Sequence, residues 1–176
     1  MTHTHVIYSI CTVERALSLG PGLPEMTEPT PARRRNMAAI RGTNTQPERR
    51  LRSAVFARGL RFRLHVRSLP GSPDLVFPKF KAAVFVHGCF WHRHRGCRFT
   101  TKPKNNASFW LNKFAENVQR DQVTRHRLVN LGWRIAVVWE CAIKESPDAA
   151  AARLHAWLTS KAEPIFDVGT AGLTQD

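Results

Sequence analysis

Acidic residues are scarce in this chain: 13 Asp and Glu stand against 27 Lys and Arg, giving a formal charge of +14 and a pI near 11.0. An ordinary cytosolic enzyme has a mixed-sign surface, so the deficit argues for a polyanionic partner. Long apolar runs are absent too. Nothing approaches the roughly 20 residues that a membrane-spanning helix needs, which sets membrane insertion aside. The stretch VIYSICTVERALSLGPG is too short, and too interrupted by Glu14 and Arg15, for a signal peptide, so the expected location is the cytoplasm. No internal repeat occurs, and 176 residues at 43% hydrophobic can bury one good core without a second domain. Cysteine is sparse: four thiols in an intracellular chain point to metal ligands or inert side chains before disulfides.

What is present is well punctuated. Residues 1–32 contain GPGLPEMTEPTPA, turn formers without apolar period, and are expected to be a disordered leader. Met26 offers a second start beside Met1, and Cys11, alone in this head, is taken as incidental. A folded domain is expected over 33–161, followed by a tail over 162–176. The basic run Arg33, Arg34, Arg35 leads through Asn36 and Met37 toward a helix with Thr45 and Glu48 at capping-box spacing, Pro47 in its first turn and Gly59 at its end. Its inward stripe is Leu51, Ala54 and Val55, and Glu48 projects from that same stripe.

Next, Phe62, Leu64 and Val66 alternate as a half-buried strand, SLPGSP turns the chain into DLVF, and FKAAVFVH suits a central strand. After a long polar loop, SFWLNKFAENVQRDQVTRHRLVNLG predicts a helix capped by Ser108 and closed near Gly132. Phe114, Asp121 and Leu128 fall on one of its faces, with Asn117 among them. WRIAVVWE is then a last buried strand, and SPDAAAARLHAWL a final helix with Ser146 as cap. The expected class is α/β, a mixed four-stranded sheet flanked by helices.

The loop HGCFWHRHRGC, residues 87–97, concentrates the chemistry. Cys89, His94 and Cys97 are separated by four and then two residues, and Cys141 follows at the end of the last strand. Zinc takes tetrahedral thiolate and imidazole sets of this type, and a closed set of four is structural. The plainer reading is buried thiols with solvated histidines; His92 also remains open as a ligand in place of His94. Asp74, after Pro73 and at the head of a strand, resembles the restriction-endonuclease core, where such an aspartate and an acid-x-lysine triplet hold magnesium. Phe85 stands where the second acid would be and His87 where the lysine would be. Asp74 would then be the only side-chain ligand, completed by main-chain carbonyls or water, with Glu48 placed to hold those waters.

Together RRRNMAAI, PGSPDLVF, FVHGCFWHRHRGC, FWLNKFAENVQRD and WRIAVVWEC, in that order over most of residues 33–141, resemble the very short patch repair endonuclease family. That family nicks DNA beside a thymine mispaired with guanine. The resemblance implies a monomeric, magnesium-dependent nuclease on a restriction-endonuclease-like core with a zinc-stabilised loop. By position it implies Asp74 and the main-chain oxygen of Val86 as magnesium ligands, and His92 with its supporting carboxylate Asp121 as the base. Glu48 and His87 match surrounding groups, and Cys89, His94, Cys97 and Cys141 match zinc ligands.

A mispair is easier to unstack than a paired step, which side chains wedged between bases exploit. Phe90 and Trp91 are expected to be such wedges, joined by Trp110, with Asn117 on the same helix also assigned to DNA. Met37 would approach from the other groove, and Arg33, Arg34 and Arg35 would lie on phosphates. The plainer readings are an aromatic cluster over the metal loop, a solvated His92 and an Asp121–Arg125 ion pair. The implied partners are double-stranded DNA with a T:G mispair and a MutL-type mismatch-repair protein. Two alternatives are a site-specific endonuclease without mismatch requirement and a non-catalytic zinc-stabilised DNA-binding module, the latter kept open by Phe85.

Overall fold

A computed structural model describes residues 30–38, 42–161 and 163–169, without the side chains of Arg33 and residues 36–38. The expectations for residues 1–29, including Cys11 and Met26, and for the side chains of Arg33 and Met37 fall outside the described residues. In chain order the elements are α1 (Pro31–Ala38), α2 (Gln46–Ala57), β1 (Arg63–Leu64), β2 (Leu75–Phe77), β3 (Ala82–His87), α3 (Ala107–Asn130), β4 (Arg134–Trp139), α4 (Glu140–Glu145), α5 (Pro147–Thr159) and β5 (Ile165–Val168). The strands form one sheet in the order β1-β2-β3-β4-β5. The first two pairings are antiparallel and the last two parallel. Parallel pairs need crossovers; α3 makes the one from β3 to β4, and α4 with α5 the one from β4 to β5.

Both faces of the sheet are covered, which explains why β3 and β4 are apolar nearly throughout. On one face Leu75, Phe77, Ala82, Val84, Ala136 and Val138 pack with Leu51 and Val55 of α2 and Leu154, Trp157 and Leu158 of α5. On the other a smaller cluster joins Ala83 and Ile135 to Leu128 of α3, with Phe85 against it. Phe85 thus serves α3 packing. The period of two along β3 sends His87 to the same side as Phe85, toward α3, while the larger core holds the opposite side. Among the described residues no helix is long and apolar enough to cross a membrane.

Four expectations are corrected. The sheet has five strands, not four: Ile165–Val168, assigned to the tail, lies parallel to β4 in the register Ile135↔Ile165 to Val138↔Val168. Its anchor is tertiary. Trp157 Nε1 donates to the Glu163 carbonyl (2.9 Å), and the Trp157 ring stacks on Phe166 at 5.6 Å and 8°. Second, the strand read through Phe62, Leu64 and Val66 shrinks to Arg63–Leu64, both exposed. His65 ends it in the left-handed region (φ 44°), which breaks the pleat. Third, α3 starts at Ala107 behind Asn106, itself left-handed (φ 54°), so Ser108 lies inside the first turn and caps nothing. Fourth, the run ending at Glu140 stops as a strand at Trp139, and Cys141 sits in α4.

Candidate active site

A cleft of about 990 Å³ opens between the start of α2, the head of β2, the end of β3 and the middle of α3. Asp74, His87, His92 and Asp121 all line it, with Arg67, Arg120 and Arg125 at its walls. His92 Nδ1 lies 2.6 Å from Asp121 Oδ2. A carboxylate accepts only, so Nδ1 carries the proton and Nε2 keeps its lone pair free. His87 stacks flat on His92 at 3.8 Å and 13°. Burial, and then the neighbouring His92, push the His87 pKa down to about 3, so this ring is a neutral support near pH 7. The Asp121–Arg125 pair weighed from sequence does not form; Arg125 reaches Asp167 at 3.6 Å.

Across the cleft, Asp74 Oδ2 accepts the Val86 N–H at 2.7 Å, which ties the head of β2 to β3. Burial raises the Asp74 pKa to about 6, against the lowering by the Val86 N–H; the nearby Glu48 charge raises it further. His92 acts on Asp74 electrostatically, so acid and imidazole share one field.

Glu48 is 3% exposed and saturated with donors. It takes Asn44 N–H (2.9 Å), Thr45 N–H (3.3 Å), Thr45 Oγ1–H (2.8 Å) and Arg52 Nη2–H (2.7 Å). The capping box that starts α2 therefore also builds one wall of the cleft. With its lone pairs so engaged, Glu48 serves as a charged border to Asp74. The residue missed from sequence is His65, between the two acids: Nε2 is 3.9 Å from Glu48 and Nδ1 3.9 Å from Asp74. Its place in an alternating pattern marked it as an outward strand residue, and nothing local distinguished it.

The loop of residues 87–97 is a chain of tight turns, with His92 N–H to Gly88 O (3.1 Å) and His94 N–H to Cys89 O (3.0 Å). Arg93 between them is left-handed (φ 54°), and the two imidazoles part: His92 joins His87 and Asp121, whereas His94 joins Cys89, Cys97 and Cys141. His94, not His92, belongs to the cysteine group. Its Nδ1 lies 3.6 Å from Cys89 Sγ and 3.4 Å from Cys141 Sγ, close to the ~3.6 Å edge of a tetrahedron with zinc-like bond lengths. Cys89, Cys141 and His94 are all buried, and burial pushes the Cys89 thiol up and the His94 imidazole down. Desolvated soft donors at these distances fit a metal ion. Trp139 stacks on His94 at 4.1 Å and 4° and holds the ring in place.

The aromatics assigned to DNA form one cluster. Phe90 meets Phe114 (5.0 Å), Trp91 (5.1 Å) and Trp110 (5.7 Å). Trp110 is buried, Phe90 and Trp91 are half-buried, and Phe109 beside them is exposed. The plainer reading thus describes the resting packing of Trp110. Asn117 donates to the Trp91 carbonyl at 3.2 Å, bracing the loop from α3. Arg34 and Arg35 are exposed on α1.

A half-buried carboxylate and a histidine–aspartate pair in one arginine-walled cleft, beside a Cys/His group able to hold a metal ion, form the layout of a hydrolase for an anionic ester. Comparison with known proteins narrows the class. The family model described as DNA mismatch endonuclease Vsr matches residues 27–98. The type II nicking enzyme V.XorIIP of Xanthomonas oryzae pv. oryzae is 47% identical over 117 residues, 66% of this chain and 85% of that protein. The DNA mismatch endonuclease Vsr of Escherichia coli is 42% identical over 130 residues, 72% and 83% of the two chains. The chain belongs to the Vsr endonuclease family.

Proposed function

We propose that this protein is a DNA-nicking endonuclease that hydrolyses one strand 5′ to the thymine of a T:G mispair, on a restriction-endonuclease-like core. The observation that carries this reading is the convergence of Asp74 and the His92–Asp121 pair on one cleft. The formal charge of +14, the description of the matching family model and the name of the Escherichia coli relative support DNA as substrate, and the name of the Xanthomonas relative supports nicking.

His92 Nε2 takes a proton from the attacking water as its oxygen bonds to phosphorus; the P–O bond to the leaving sugar oxygen breaks, and that oxygen is protonated from solvent. Asp121 keeps the imidazole in the required tautomer and stabilises its cationic form. His87 sets the ring's plane from below. Asp74, with the Val86 main-chain oxygen, would hold magnesium; the raised Asp74 pKa beside a second carboxylate fits a place that calls for a cation. When bound there, magnesium neutralises charge on the phosphate. Cys89, His94, Cys97 and Cys141 would hold structural zinc. Phe90 and Trp91 wedge beside the mispair and Trp110 rotates out to join them; Asn117 holds the wedge loop while Met37, Arg33, Arg34 and Arg35 engage the other groove and the phosphates. The protein works as a monomer in the cytoplasm and hands its nick to repair synthesis together with a MutL-type protein.

The test is strand-resolved nicking of T:G, T:A and U:G duplexes by the purified chain with and without magnesium. The T:G thymine strand should be cut only with magnesium, and Asp74→Ala should lower the rate on the order of 10³-fold. Equal cutting of T:A duplexes would select a site-specific endonuclease, and binding without product a non-catalytic module.

A further inference from the structure

Arg52 organises the side of the cleft that the mechanism leaves unused. Its Nη2 lies 2.7 Å from Glu48 Oε2 and 3.0 Å from His65 Nε2, and its Nη1 donates to Asn44 Oδ1 at 2.6 Å. A guanidinium has donors only, so His65 Nε2 must be the acceptor. A neutral imidazole with that lone pair in use carries its hydrogen on Nδ1, the nitrogen that faces Asp74 Oδ1 at 3.9 Å. The two Asp74 oxygens are thus addressed separately: Val86 N–H holds Oδ2, and His65 Nδ1–H looks toward Oδ1. The 3.9 Å gap exceeds a hydrogen bond by about 1 Å, a distance that a small side-chain shift would close. The backbone holds this arrangement at a cost, because His65 sits at φ 44°, a left-handed conformation that L-residues disfavour.

The same tautomer rules out the simpler alternative. Were Nδ1 to ligate a metal while Nε2 accepts from Arg52, the ring would need both lone pairs and would have to be an imidazolate. We propose that His65 is a positioning residue for the metal-binding carboxylate: fixed by Arg52 as its Nδ1–H tautomer, it orients Asp74 and does not ligate the cation. This rests on the reading of Asp74 as a divalent-cation ligand.

The experiment uses the full ¹⁵N-labelled chain, Mn²⁺ as probe, and two variants. His65→Gly removes the ring and accepts the left-handed backbone without strain, while His65→Asn tolerates it and places an amide N–H near the Nδ1 position. Long-range ¹H–¹⁵N correlation should show His65 with its proton on Nδ1. Calorimetric Mn²⁺ affinity should fall roughly 10–100-fold in His65→Gly and return to within about threefold of wild type in His65→Asn, the effect of an outer partner of a ligand. A proton on Nε2, wild-type affinity in His65→Gly, or Asn as weak as Gly overturns the proposal. Asp74→Ala separates the two readings. If wild type binds no Mn²⁺, or Asp74→Ala binds it equally well, the assignment of the metal to Asp74 fails and this proposal with it. If only the His65 variants depart from expectation, the proposal falls alone.

Discussion

The cysteine cluster and the cleft share the short stretch from His87 to Cys97 but follow opposite rules. In the cluster, Cys89 is fully buried, Cys141 is 2% exposed, and a stacked tryptophan covers the imidazole. The four donor atoms lie within 4.8 Å of one another, the convergence a closed metal set requires, with Cys97 its half-buried member. In the cleft the His92 side chain is 27% exposed and Asp121 23%, so the reactive nitrogen can meet a substrate from solvent. Two histidines separated by one left-handed residue thus fall into different environments. The lesson is that rigidity and reactivity are built side by side: the closed half holds the loop still so that the open half can be precise in placement without being buried.

Changes to the closed half should cost stability and changes to the open half should cost rate. The largest effect is expected from Cys141→Ser, which breaks the closed set. A loss on the order of 5 kcal/mol, a fall in Tm of roughly 10–20 °C, should appear in calorimetry, with bound metal falling in parallel. Unchanged melting would erase the distinction.

His92→Ala should lower the single-turnover nicking rate by about 10²–10⁴ while leaving melting and DNA affinity near wild type. A melting shift as large as that of Cys141→Ser would instead make the loop one structural unit.

A smaller effect concerns pH. Burial raises the Asp74 pKa from 3.8 to about 6, so between those values the folded state keeps a proton that the unfolded chain has released. This contribution is complete below the unfolded value and is lost as pH rises through about 6. In magnesium-free buffer, Asp74→Asn should therefore gain on wild type by on the order of 1–3 kcal/mol between about pH 4.5 and 7.5 in denaturant titrations. Added magnesium should cancel the gain by stabilising the wild-type carboxylate.

The smallest expected effect is at Gly169. A Cβ there would meet His94 Nε2 at 3.1 Å and Cε1 at 3.2 Å, and the ring has no room to retreat because Trp139 stacks on it. Gly169→Ala should cost about 1 kcal/mol, a few degrees in Tm, without changing the nicking rate beyond error. A loss of rate with unchanged melting would mean that the two halves are coupled through His94.

Legibility followed the range of the forces involved. The α2 cap was readable because Thr45 and Glu48 satisfy each other within three residues. The start of α5 was readable for the same reason, with Ser146 Oγ accepting from Ala149 N–H. β5 was not, because IFDV carries one fully buried residue and is held by Trp157 and the edge of β4. The N-terminus of α3 misled because Asn106 stops the chain by a left-handed backbone turn and makes no side-chain cap. In the site, Glu48 and Asp121 stood out as acids on apolar helix stripes and Asp74 as an acid after proline at the head of a strand, whereas His65 lay hidden in an alternating pattern that its own backbone interrupts.

By itself the sequence determined the local frame: helix starts, the buried β3 and β4 runs, the cysteine spacing and the basic charge. These depend on periodicity and on neighbours a few residues away, which any reading of the chain can see. Only the tertiary structure decided which histidine turns to the cysteines and which to Asp121, and that Asp74, Glu48 and His65 share one corner. Those outcomes depend on strand register, such as Val86↔Val138, on where α3 crosses the sheet, and on one left-handed residue at Arg93. Each is settled by packing between distant segments, whose energies no single stretch contains.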